Sequence, residues 1–127
     1  MSSARSVVSS AKRLWRGLNR PEAAVLLESD SLLVQTPEAG AICPSGSEQS
    51  VTWWVVGQAG DVVDIELVTL AGTQVRTEAV LATEIGTDDR RAVVTVPDLA
   101  PGTYRVLVTS AAGMLDAYSG PITVTAA

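Results

Sequence analysis

The chain has 127 residues, a 46% hydrophobic share that includes no phenylalanine, one cysteine, no histidine and a formal net charge of −5. That length holds one domain and a short appendage. The missing histidine removes the commonest general base and the commonest zinc ligand, the lone Cys43 excludes an internal disulfide, and no apolar run approaches the ~18 residues of a membrane-spanning helix.

The charge is unevenly placed. Residues 1–20 hold Arg5, Lys12, Arg13, Arg16 and Arg20 and no acid, whereas residues 21–127 set four arginines against fourteen acids, a net of −10. A basic arm on an acidic body points to a partner for the arm, and the acidic body argues against nucleic-acid binding by the β-domain itself. The predicted organisation is an arm and linker over residues 1–29 and a β-domain over residues 30–127.

On a helical wheel of residues 4–18, Val7, Ala11, Leu14 and Leu18 form one stripe, with Val8 and Trp15 beside it and the basic residues opposite. The pattern predicts an amphipathic helix, ended by Gly17, Asn19 and Pro21. Val7-Val8 and the other short apolar runs here do not make the apolar segment of a secretory signal. Arg5, Val7, Ala11, Lys12, Leu14, Trp15, Arg16 and Leu18 are the candidate partner-binding residues. The arm reads first as a docking arm on another chain or a helix on its own domain, and then as an Arg-rich targeting peptide or a helix lying on a membrane surface.

Strand candidates then follow at short, even spacing: Ser31 to Gln35, Ser50 to Val56, Val62 to Leu70, Gln74 to Leu81, Arg91 to Val96, Thr103 to Thr109 and Pro121 to Thr125. Seven short antiparallel strands predict an all-β immunoglobulin-like or fibronectin-III-like Greek-key sandwich. In the second strand Val51, Trp53 and Val55 alternate with Thr52, Trp54 and Val56. Trp53 is expected in the core and Trp54 outside, either under the arm or in a binding patch. In the third, Val63, Ile65 and Leu67 are expected inward and Asp64 and Glu66 outward. In the sixth, Tyr104, Val106 and Val108 share a face. Ahead of it, Leu99-Ala100-Pro101-Gly102-Thr103-Tyr104 predicts a tyrosine corner, the phenol bonding back to the backbone at a strand crossover.

From Pro37 to Val124 the chain resembles the Ser/Thr-rich glycosylphosphatidylinositol-anchored membrane protein domain, also met as the fungal cell-wall-synthesis domain and as repeats in bacterial surface proteins. The carrying features are Pro37 and Gly40, Thr52-Trp53, Val63-Asp64-Ile65-Glu66-Leu67, Val96-Pro97-Asp98-Leu99, Pro101-Gly102-Thr103-Tyr104-Arg105-Val106 and Tyr118-Ser119-Gly120-Pro121-Ile122. The resemblance implies a β-sandwich without a catalytic motif, in a cell-wall setting.

The residues themselves show no phosphate loop, dinucleotide fingerprint or nucleophile elbow. Asp64 and Glu66 read as a solvated strand face, Asp88-Asp89 as a hairpin turn. The expected function is therefore non-enzymatic, without catalytic residues, cofactor or metal: an arm-anchored sandwich subunit of a large assembly, with decoration of a virion capsid the foremost setting. A homo-oligomer is compatible with this. The alternatives are a carbohydrate- or cell-surface-binding module, with Trp54 and Tyr118 as stacking platforms, and an accessory subunit of an organellar membrane complex.

Overall fold

The structure, a computed structural model, describes residues 30–110 and 114–127. The amphipathic helix expected within residues 1–29 lies outside them. The described residues form an all-β, immunoglobulin-like sandwich of nine strands: β1 (Ser31–Thr36), β2 (Ile42–Pro44), β3 (Glu48–Val56), β4 (Val62–Ala71), β5 (Gln74–Gly86), β6 (Arg91–Thr95), β7 (Gly102–Ser110), β8 (Leu115–Tyr118) and β9 (Ile122–Thr125). One sheet has the order β1-β3-β6. The other has the order β2-β9-β7-β4-β5, with β8 also on β7.

The seven predicted strands are present, and two more appear where loops were expected. β2 occupies part of the turn-rich stretch after Pro37. It pairs parallel with β9, Cys43 facing Val124. The chain thus runs in one sheet as β1, antiparallel to β3, and crosses to the other as β2. Gly120 makes this crossing possible: a Cβ there would lie 2.6 Å from the Cβ of Ala39. The Gly40 N–H then donates to the Pro121 carbonyl at 2.7 Å.

The second addition is β8. β8 and β9 run along the same edge of β7, β8 opposite Leu107 to Ser110 and β9 opposite Gly102 to Tyr104. Between them sits Ser119, 3% exposed. Its N–H donates to the Val106 carbonyl at 2.8 Å, and its hydroxyl oxygen accepts from the Val106 N–H at 2.8 Å. The serine side chain stands in for a backbone carbonyl and keeps the ladder satisfied across the interruption, as a buried backbone donor requires.

The core lies between the sheets, and the alternation of the strands supplies it. Val51 and Trp53 come from β3, Val63, Ile65 and Leu67 from β4, Tyr104, Val106 and Val108 from β7, and Ile122 and Val124 from β9. Trp53 is 1% exposed, and burying such a ring stabilises the fold by roughly 2–3 kcal/mol. The tyrosine corner is formed: the Tyr104 hydroxyl donates to the Ala100 carbonyl at 2.6 Å. Cys43 is fully buried, and burial raises its thiol pKa above the ordinary value because a thiolate there would be desolvated.

Candidate functional site

The outer face of the β1-β3-β6 sheet is where the sequence placed Trp54. Period-two alternation sends the adjacent tryptophans to opposite sides of β3: Trp53 into the core, Trp54 outward at 49% exposure. Leu33 of β1 is its cross-strand partner. Val56, two residues along, faces the same way and is also exposed. Leu33, Trp54 and Val56 thus form a continuous apolar strip on the sheet.

Trp53 also determines what stands beside this strip. Its ring N–H donates to the Thr87 carbonyl at 2.9 Å, and its backbone N–H donates to the Arg90 carbonyl at 3.1 Å. These bonds fix the single 3₁₀ turn Thr87–Asp89, where a plain hairpin turn was expected, at the end of β3. Arg90 follows in the left-handed conformation with φ 58° and ψ 14°. Its guanidinium carbon lies 6.0 Å from the centroid of the Trp54 ring, at the reach of a cation–π contact.

Tyr118 lies elsewhere. On β8 it faces Leu107 of β7, which alternates with core residues Val106 and Val108 and so belongs to the outer face of the other sheet. Leu107 and Val68 are buried there. Tyr118 is half-buried beside Leu107, with its hydroxyl oxygen withdrawn from solvent. Trp54 and Tyr118 therefore stand on opposite faces of the sandwich and do not build one site. Arg5, Val7, Ala11, Lys12, Leu14, Trp15, Arg16 and Leu18 lie outside the described residues.

One neighbourhood was missed in the sequence. Beyond Val55, the β3–β4 loop and the turn at Thr87-Asp88 enclose a groove of about 380 Å³, with Gln58, Asp61 and Asp88 in its wall. Only Asp88 stood out in the sequence, and only as a turn residue. The loop Gly57-Gln58-Ala59-Gly60-Asp61 carries no spacing that distinguishes a binding loop from a connection. Among the described residues no three of the acidic or cysteine side chains converge as metal ligands, and no helix is long and apolar enough to cross a membrane.

A search of curated proteins gives no match. Among solved structures, the fibronectin(III)-like modules of Clostridium thermocellum CbhA are similar over 73% of this chain and 93% of that one, at 18% identity and a TM-score of 0.42. The family described as the Kre9/KNH-like N-terminal Ig-like domain matches residues 36–124, the span over which the sequence motifs carried their resemblance. With most of its length in that match, the chain belongs to the Kre9/KNH-like N-terminal Ig-like domain family.

Proposed function

We propose that this module binds a cell-surface polysaccharide through the outer face of its β1-β3-β6 sheet, with Trp54 as the platform on which a sugar ring stacks. The exposed Trp54, flanked by Leu33 and Val56 on the outer face of the sheet, carries the reading. A large half-exposed indole on a regular strand is where an apolar sugar face gains most from leaving water. Family membership and the cell-wall setting implied by the sequence motifs support this reading, with the module at a cell surface, over decoration of a virion. Tyr118 is a weaker platform because its hydroxyl end is buried.

The basic arm provides a second contact in this proposal. Its charge split from the acidic body, +5 against −10, suits an acidic protein or surface that holds the module near its polysaccharide. The test is retention of the full chain on a panel of immobilised glycans. Trp54→Ala is expected to lower retention at least tenfold, and removal of residues 1–20 to leave it intact. Equal retention of wild type and Trp54→Ala would end the platform reading. Retention that disappears with residues 1–20 would transfer the binding to the arm.

A further inference from the structure

The groove at the end of β3 has a property that its solvent-exposed acids alone would not give it. Thr87, in its wall, is 2% exposed, and its Oγ1 is buried with no hydrogen-bond partner among the described residues. The backbone of the same residue is fully engaged. Its N–H donates to the Asp61 carbonyl at 2.9 Å, and its own carbonyl accepts from the Arg90 N–H at 3.3 Å and from the Trp53 ring at 2.9 Å. Thr87 is therefore held in place by the core while its side-chain hydroxyl is left over. A buried hydroxyl without a partner is unfavourable, so one fixed in a groove wall marks a place for a guest that supplies the missing bond.

The chemistry of that guest follows from its neighbours. Asp61 and Asp88 offer carboxylate oxygens, which are hydrogen-bond acceptors, and Gln58 offers an amide that both donates and accepts. A ligand rich in hydroxyl donors satisfies this wall. An anionic ligand would set like charges beside two carboxylates. The groove starts one residue past Trp54 on β3, and Arg90, stacked on Trp54, follows Asp88 by two residues. From Trp54 to Gly57 the strand advances about 10 Å, so one ligand filling both places is longer than a single sugar ring.

Resting on the polysaccharide reading above, we infer that the groove is a second subsite, selective for neutral oligosaccharides. One ring stacks on Trp54. The next enters between the β3–β4 loop and the 3₁₀ turn, where its hydroxyls donate to Asp61 and Asp88 and one of them meets Thr87 Oγ1.

The test uses the full chain with gluco-, manno- and xylo-oligosaccharides as neutral probes and oligogalacturonate as the charged one, binding being read by calorimetry. At least one neutral probe is expected to bind and oligogalacturonate at least tenfold more weakly. The pair Asp61→Ala and Asp88→Ala is expected to weaken the neutral probe about tenfold. Thr87→Val, nearly equal in volume, is expected to weaken it several-fold without lowering the melting temperature. If the groove variants bind as wild type while Trp54→Ala does not, the subsite is overturned and the platform stands. Equal binding of oligogalacturonate also overturns the subsite. Failure of every probe overturns both.

Discussion

The outer face of the β1-β3-β6 sheet carries Leu33, Trp54, Val56 and Val93, between 44% and 61% exposed. The outer face of the larger sheet is finished with hydroxyl–carboxylate pairs instead. The Thr77 hydroxyl donates to Glu66 at 2.7 Å and Thr109 to Asp116 at 2.6 Å. Asp64 accepts the backbone N–H of Glu84 at 2.9 Å. Exposed apolar residues occur on the larger sheet too, but Val80 stands opposite a glutamate, whereas Leu33 stands opposite Trp54. Both faces have the same alternation and differ in what they leave unmet. The larger sheet satisfies polar groups on its outer face internally, and the smaller one leaves an apolar strip exposed.

The strongest way to break this contrast is across the two adjacent tryptophans. Trp53→Ala empties the core and removes the donor to Thr87, so it is expected to cost about 3–5 kcal/mol in denaturant unfolding. Trp54→Ala is expected to stay within about 0.5 kcal/mol of wild type. Comparable losses for the two would mean that Trp54 is structural and that its face is no binding surface.

Next in size is the break between β8 and β9. Ser119→Ala leaves the buried Val106 N–H without its acceptor and is expected to cost about 1–3 kcal/mol. Hydrogen exchange at the Val106 amide should quicken in parallel. Tyr104→Phe, which removes the corner bond to Ala100, is expected to cost about 1 kcal/mol. On the outer face of the larger sheet, Thr77→Val should change stability by no more than about 0.5 kcal/mol. A larger cost would show that the hydroxyl–carboxylate rows hold the sheet together rather than merely finish it.

The smallest effect is one of pH. The folded state holds the Cys43 thiol protonated more firmly than the unfolded chain does. Its pKa is raised on folding, so the stability linked to this proton is complete below the unfolded value. It is lost as pH climbs from about 8.5 through the folded value. Denaturation midpoints followed from pH 7 to 10 should fall in wild type more than in Cys43→Ala.

The particular strands show where sequence reading works. β3, β4 and β7 alternate over nine or ten residues each, and the turn residues around Pro97, Pro101 and Gly102 punctuate them. Their inward faces and the tyrosine corner could therefore be stated from the residues. β2 and β8 are three and four residues long, too short for a period to declare itself. Both also sit in stretches rich in Gly, Pro and Ser. What makes each a strand is the neighbour it meets, β9 for β2 and the C-terminal half of β7 for β8. β5 continues to Gly86 because β4 offers it partners as far as Val62, information that the β5 residues do not contain.

Trp54 was legible as a candidate because alternation is a local property: once Trp53 is inside, Trp54 must be outside. The groove was not, since it joins a loop and a turn some thirty residues apart through the bonds of Trp53 to Thr87 and Arg90. Similarly, nothing local separates Tyr118 from Trp54, yet pairing with Leu107 turns one aromatic residue half inward and leaves the other open. The amino-acid order alone settled the sandwich and its inward faces, because period, turn chemistry and residue type act over a few neighbours. Strand pairing, the crossing between sheets and the groove at the tip were settled only by the folded chain, because each depends on hydrogen bonds and contacts between residues distant along it.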